Sequence, residues 1–322
     1  MGKSDRAHLV ITHAVCACAL IAQHAILFFL HEEGSVRLHI AYARYDGDGR
    51  YARIDRARVT DLDTAILFDL YFIVSALQHC YQACRAARSN GVNHLRWSDY
   101  LLTAPVMIVV VGITVGILDV FELGAHFILM SVTIACGMLS EAYARGFAEC
   151  HSHSERRIPF AVCDVAQVLL ALCLGIAGDV AEITSRARIA LLWAATGVAI
   201  AYMSIARWLG DITVFDRKKS RFFANVVYGL AFVPYATLWC AVIARFALAI
   251  DNSEKSVPDW IFAIVIGMFL GFTGTFPIIH ILGINKVIDV DTTEFAYAIA
   301  GVANKSLLGW YMWYGAGRMK AA

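Results

Sequence analysis

The sequence predicts an all-α polytopic membrane protein, and three observations carry that prediction. Of 322 residues, 59% are hydrophobic and only 16% charged, with a mean hydropathy of +0.62, a balance outside the range of soluble domains. Apolar runs of about twenty residues, enough to cross a bilayer, recur along the whole chain. Only five prolines occur, and Pro105, Pro234 and Pro277 fall inside those runs, where membrane helices tolerate them. The net charge of +1 offers no field for nucleic acid. Nine cysteines lie mostly in apolar stretches without CxxC spacing, so they are packing residues rather than a disulfide or metal framework.

Nine runs qualify, near 8–30, 63–86, 94–119, 124–146, 158–178, 188–208, 221–249, 259–283 and 291–316, and together they make residues 1–322 a single membrane domain. The first is too long for the apolar part of a signal peptide and lacks a small-residue cleavage site, so it is a first membrane helix. Residues 31–62 form a loop of different character. Val36, Leu38, Ile40 and Tyr42 alternate with Arg37, His39 and Ala41, and Asp46-Gly-Asp-Gly49 separates them from a second strand-like stretch. Alternation about an Asp/Gly turn predicts a β-hairpin.

Positive charge sets the orientation. With the N-terminus inside, fourteen Lys and Arg residues fall on the inner side and eleven on the outer, and Arg217-Lys-Lys-Ser-Arg221 is the densest inner cluster. The N-terminus is therefore expected in the cytoplasm, the hairpin loop outside and the C-terminus, after nine crossings, also outside.

The last run holds one lysine near its middle, Lys305, with no other charge between Phe295 and Gly317. An ammonium at that depth costs roughly 3 kcal/mol or more, so it must snorkel, pair with a carboxylate, or be converted. Conversion to a Schiff base with an aldehyde makes a buried lysine an attachment site. The third run supplies a carboxylate: Asp99 lies about two turns into the helix, with Arg96 one turn before and Thr103 one turn after on the same face. An Arg96–Asp99 pair at the helix mouth is the plain alternative. His79, His13 and Glu141 sit at similar depth on the same side; singly each is an ordinary helix–helix hydrogen-bond residue, while together with Asp99 they compose a polar chamber able to accept a proton.

Gly91-x-Asn93-x-x-Arg96-Trp97-x-Asp99-Tyr100 with Thr103-Ala104, and Ser75-Ala76-x-x-His79 before them, resemble the second and third helices of the heliorhodopsin family of microbial retinal proteins. Glu294-x-x-Tyr297 and Lys305-Ser-Leu-Leu-x-Trp310 resemble that family's last helix, and Val257-Pro258 with Phe272-x-x-x-Phe276 its sixth. The resemblance implies all-trans retinal as a Schiff base on Lys305, Asp99 as counterion, and a proton-accepting polar cluster of His13, His79, Arg96 and Glu141. It further implies that Tyr100, Thr103, Met107, Phe272 and Phe276 line the polyene; as residues alone these are equally ordinary core positions. Cys136-Gly137-x-x-x-Glu141 is similar to a stretch of the fourth helix, where Glu141 makes an inter-helix hydrogen bond.

The sequence departs from the family at four points. The family's counterion is a glutamate, one methylene longer than Asp99. Four residues before the lysine it has serine, where this chain has Gly301, and Asn304 replaces a usual alanine. Finally, the family has seven helices, so 158–208 is expected to be a two-helix insertion in a seven-helix retinal-binding core; an even number of extra crossings preserves the orientation of the last three helices. Asp164 within it is an ordinary hydrogen-bonded acid or an extension of the polar path.

The expected function is a light sensor, not an enzyme, with the lipid bilayer as surroundings and a signalling partner outside the chain. A light-driven or light-gated proton transporter is the alternative, and a solute carrier using Lys305 in an ion pair is a second. Gly112-x-x-x-Gly116 and Gly267-x-x-x-Gly271 permit close helix approach and predict a homodimer.

Overall fold

The computed structural model describes residues 3–30, 35–45, 51–85, 94–145, 217–251, 266–269 and 271–320. The predicted insertion 158–208 and the hairpin turn 46–49 lie outside the described residues. Helix α1 (Lys3–Leu30) is followed by strands β1 (Ser35–Tyr45) and β2 (Tyr51–Asp63), then α2 (Thr64–Arg85), α3 (His94–Thr114) and α4 (Val120–Arg145). Beyond them come α5 (Arg217–Asp251), a π-turn (Gly271–Thr275), α6 (Phe276–Ile284) and α7 (Val290–Lys320). Among the described residues four helical segments are long and apolar enough to cross a membrane: Ala7–Leu27, Arg96–Thr114, Val120–Ala144 and Arg221–Leu248. Ile11, Val15, Ile73 and Leu77 point outward from α1 and α2, as lipid-facing positions do, since a bilayer imposes no penalty on exposed aliphatic surface.

The two strands pair antiparallel from Ser35↔Asp63 to Tyr45↔Tyr51. Val59 and Ala52 are extra residues on β2, marked by register irregularities at Leu38/His39 and Arg44/Tyr45; such bulges bend and twist a two-stranded ribbon.

Helix ends follow local chemistry. The third run was expected to continue to 119, but α3 stops at Thr114 because Gly116 adopts φ 85°. There the Ile117 N–H reaches back to the Gly112 carbonyl at 2.9 Å and the Gly116 N–H to that of Ile113 at 3.0 Å, the paired bonds of a left-handed C-terminal cap. Asp119 then opens α4 by accepting from the N–H groups of Phe121 and Glu122 at 3.0 and 3.2 Å. The run expected over 259–283 is not one regular helix: the π-turn interrupts it directly before Phe276 and Pro277, where proline removes a backbone donor. Asp289 caps α7 through the Thr292 N–H at 2.7 Å and the Thr292 hydroxyl at 2.9 Å.

Of the four glycines that predicted a dimer, Gly112, Gly267 and Gly271 pack against neighbours within the chain. A side chain at Gly112 would press on Leu123, Gly267 abuts Leu307, and Gly271 abuts Asn304; Gly116 lies beyond the helix end. The homodimer expectation gains no support from these pairs.

Packing produces two buried clusters. One gathers Leu20, Phe72, Met107, Ile108, Val111, Met130, Trp239 and Leu308. The other surrounds Trp97, Tyr100, Cys136, Leu139, Tyr143, Val227 and Tyr297. Between and beside them lies the polar site.

Candidate functional site

Lys305 is 4% exposed and Asp99 3%. Three helices bring them to one point: Lys305 Nζ lies 2.7 Å from Asp99 Oδ2 and 2.5 Å from Ser75 Oγ on α2, while the Ser75 hydroxyl is 3.1 Å from Asp99 Oδ1. A buried ammonium and carboxylate are tolerable only when paired and hydrogen-bonded, and this triangle meets both conditions. Thr103 stands one turn beyond Asp99, but its hydroxyl donates to the Asp99 backbone carbonyl at 2.9 Å rather than to the carboxylate. Ser75 takes the part that same-face spacing assigned to Thr103.

Arg96 does not pair with Asp99. Its guanidinium reaches Glu141 on α4 through Nη2 and Glu294 on α7 through Nη1, and it stacks over the Tyr297 ring at 4.2 Å. The Trp97 indole N–H also donates to Glu141, at 2.6 Å. Gly137, one turn before Glu141, is what lets the indole in: a Cβ there would come within 2.8 Å of the Trp97 ring. Glu141 therefore does join helices, by a charge-assisted contact as well as the indole bond. His13 and His79 face each other, with Nδ1 atoms 3.0 Å apart. The polar chamber expected from depth thus divides into a lysine–aspartate–serine triangle, a histidine pair, and an arginine held by two glutamates.

Three further polar residues went unassigned in the sequence. His280 on α6 contacts the Tyr297 hydroxyl at 2.9 Å and Ser140 Oγ at 3.1 Å, and the Ser140 hydroxyl donates to the Ala224 carbonyl at 2.8 Å. Glu294 was visible in the sequence as part of Glu294-x-x-Tyr297, but its partner Arg96 lies on a helix far away in the chain.

A cavity open on one side runs from Lys305 between α3, α4, α5, α6 and α7. Tyr100, Thr103, Met107 and Phe276 line it, as do Met130, Tyr235 and Gly301; the Phe272 side chain lies outside the described residues. Tyr100 and Phe276 meet edge to face at 5.3 Å. An elongated apolar ligand ending in an aldehyde fits this donor set: aromatic and thioether walls, and a primary amine at the end. Among the described residues no cluster of three or more metal-ligating side chains occurs.

The heliorhodopsin family model matches residues 9–178. The match extends through the run at 158–178, the first of the two set apart as an insertion. No curated protein matches the chain. A solved structure, the crystal structure of a light-driven proton pump LR (Mac) from Leptosphaeria maculans, aligns over 99% of this chain and 97% of its own at 10% identity, with a TM-score of 0.37; so loose a likeness has no weight. The family match spans more than half of the sequence and agrees with the apolar helices: the chain belongs to the heliorhodopsin family, an integral membrane protein whose membership implies a retinal chromophore and a response to light.

Proposed function

We propose that the protein is a photosensor in which all-trans retinal is held as a Schiff base on Lys305, with Asp99 as its counterion. The observation that carries this reading is the buried Lys305–Asp99 contact of 2.7 Å at the end of an apolar cavity. Bound there, retinal supplies a polyene that absorbs visible light and isomerises. Asp99 holds the positive charge at the nitrogen, and Ser75 fixes the carboxylate by bonding its other oxygen. Gly301 lines the cavity without a side chain, which leaves Asp99 as the carboxylate at Lys305. The aromatic wall of Tyr100 and Phe276 excludes water and restricts the ligand's shape. His13 and His79 stand ready on the same side as proton acceptors.

Sensing is favoured over pumping by the asymmetry of α3. Its first half carries Arg96 and Asp99, whereas its second half, Met107, Ile108, Val110, Val111 and Ile113, is buried and apolar, a poor route for protons. The reading places the N-terminus in the cytoplasm, the β1–β2 ribbon on the outer side and a seven-helix core around the ligand. Reconstitution with all-trans retinal tests it: a visible absorption band is expected, and its absence would leave the solute-carrier alternative. A sustained, protonophore-sensitive pH change in illuminated cells would overturn the choice of sensor over transporter.

A further inference from the structure

Asn304 directly precedes Lys305 on α7 and lines the same cavity. It is buried, 7% exposed, and a carboxamide in such surroundings needs defined partners. Its Nδ2 donates to the Ala300 carbonyl one turn back at 2.8 Å, which holds the amide so that Oδ1 meets the neighbouring segment. The atom it meets belongs to Gly271: a methyl group built on Gly271 would overlap Asn304 Oδ1.

Gly271 is the first residue of the π-turn Gly271–Thr275, and Pro277 follows in the first turn of α6. A π-turn next to a proline is where helical hydrogen bonding is weakest and bending is least costly. At its other end α6 stops at Ile284, and the next residue, Asn285, exchanges two amide hydrogen bonds with Asn225 of α5, at 3.2 and 3.1 Å. A side chain pressed against a regular helix would meet a stiff object. Asn304 presses instead on a hinge whose far end is clasped.

We propose that Asn304 is a positioning residue that couples the lysine-bearing turn of α7 to the π-turn at Gly271, so that motion at Lys305 is passed to α6 and its Asn225–Asn285 clasp. The inference rests on Lys305 being the retinal attachment site. It assigns the coupling to one side-chain contact, the kind of claim a double-mutant cycle decides.

The test uses retinal-loaded full-length protein in lipid, as wild type, Asn304→Ala, Gly271→Ala, the double variant, and Lys305→Ala. The readouts are the dark absorption band and the decay time of the longest-lived photoproduct after a flash. Asn304→Ala is expected to still form a visible band, at whatever maximum, and to change the decay by about three- to tenfold. Gly271→Ala is expected to lose most of the band or shift the decay by about tenfold, and the double variant to return to within about twofold of Asn304→Ala. Independent, multiplicative effects of the two substitutions would overturn the proposal, as would a Gly271→Ala protein indistinguishable from wild type or an unchanged decay in Asn304→Ala. Where Gly271→Ala does not accumulate, recovery of folded protein in the double variant supports the contact and continued failure overturns it. A visible band retained by Lys305→Ala would remove the attachment site and this coupling with it, a result distinct from any failure within the cycle.

Discussion

Arg96 and Asp99 stand one turn apart on the same face of α3, yet they belong to different assemblies. Asp99 meets Lys305 of α7 and Ser75 of α2, while Arg96 meets Glu141 of α4 and Glu294 of α7. The first assembly is a small triangle at the head of a cavity, arranged around a charge that chemistry can modify. The second joins three helices and leaves no reacting group exposed to the cavity. Spacing along a helix brings two side chains within reach; which of them pair is decided by what the neighbouring helices offer. Here each found a closer opposite charge across a helix interface than along its own.

The contrast predicts different phenotypes. The largest effect is expected from Lys305→Ala, which removes the only lysine in any apolar run: the visible band should vanish in absorption spectra of the reconstituted protein. Asp99→Asn should come next, because removing one partner of a buried ion pair costs about 3–5 kcal/mol. Spectra recorded over a pH series should show the visible band at neutral pH largely replaced by a near-ultraviolet one, and an unshifted band would mean that another group is the counterion. Arg96→Ala loses contacts to two glutamates at once and should lower thermal stability by a similar amount, about 3–5 kcal/mol. Scanning calorimetry should register that loss while the dark band stays within a few nanometres of wild type, on the order of 0.5 kcal/mol or less in differential charge stabilisation.

Two smaller substitutions sharpen the same boundary. Ser75→Ala removes a hydroxyl that touches both Lys305 and Asp99 and should shift the absorption maximum. Thr103→Val removes one whose hydrogen bond goes to the Asp99 backbone and should shift it less; equal shifts would erase the distinction between carboxylate and backbone partners. The smallest effect lies outside the membrane core, at Asp289. Hydrogen bonds from the Thr292 N–H and hydroxyl hold its carboxyl below the ordinary aspartate range. A depressed value means the contribution is present above the unfolded-state pKa, about 3.9, and is lost as pH falls through the folded value. Asp289→Asn should therefore lower stability slightly at neutral pH and make no difference under strong acid, as thermal unfolding at the two pH values would read.

Much of this arrangement was legible in the sequence. An unscreened lysine in an apolar run demands a partner, and Asp99, embedded in an apolar run between Arg96 and Thr103, offered one. The inter-helix role of Glu141 was implied by the family resemblance alone; the room that Gly137 leaves for the Trp97 ring is visible only in the packing. What stayed hidden involved helices far apart in sequence. Ser75 is a small hydroxyl whose meaning depends on which helix it faces, and nothing local distinguishes it from Thr103. Glu294 carried no partner assignment, and His280 was not singled out, because the groups they meet lie on other helices. The glycine pairs carried the opposite lesson: their spacing announces close approach but not whether the approaching surface is another copy or the same chain.

Helices α4 and α5 form the most extensive helix–helix contact among the described elements, held by Ser140 and the Ala224 carbonyl at one end and by the bidentate Arg245–Glu122 pair at the other. Yet the 71 positions 146–216 separate them in sequence. Bringing the ends of a chain together costs only about 0.6 kcal/mol more for each doubling of the intervening length, so a connection eightfold shorter would ease closure by just about 2 kcal/mol. By closure entropy alone, the seam between α4 and α5 depends little on the number of positions that lie between them.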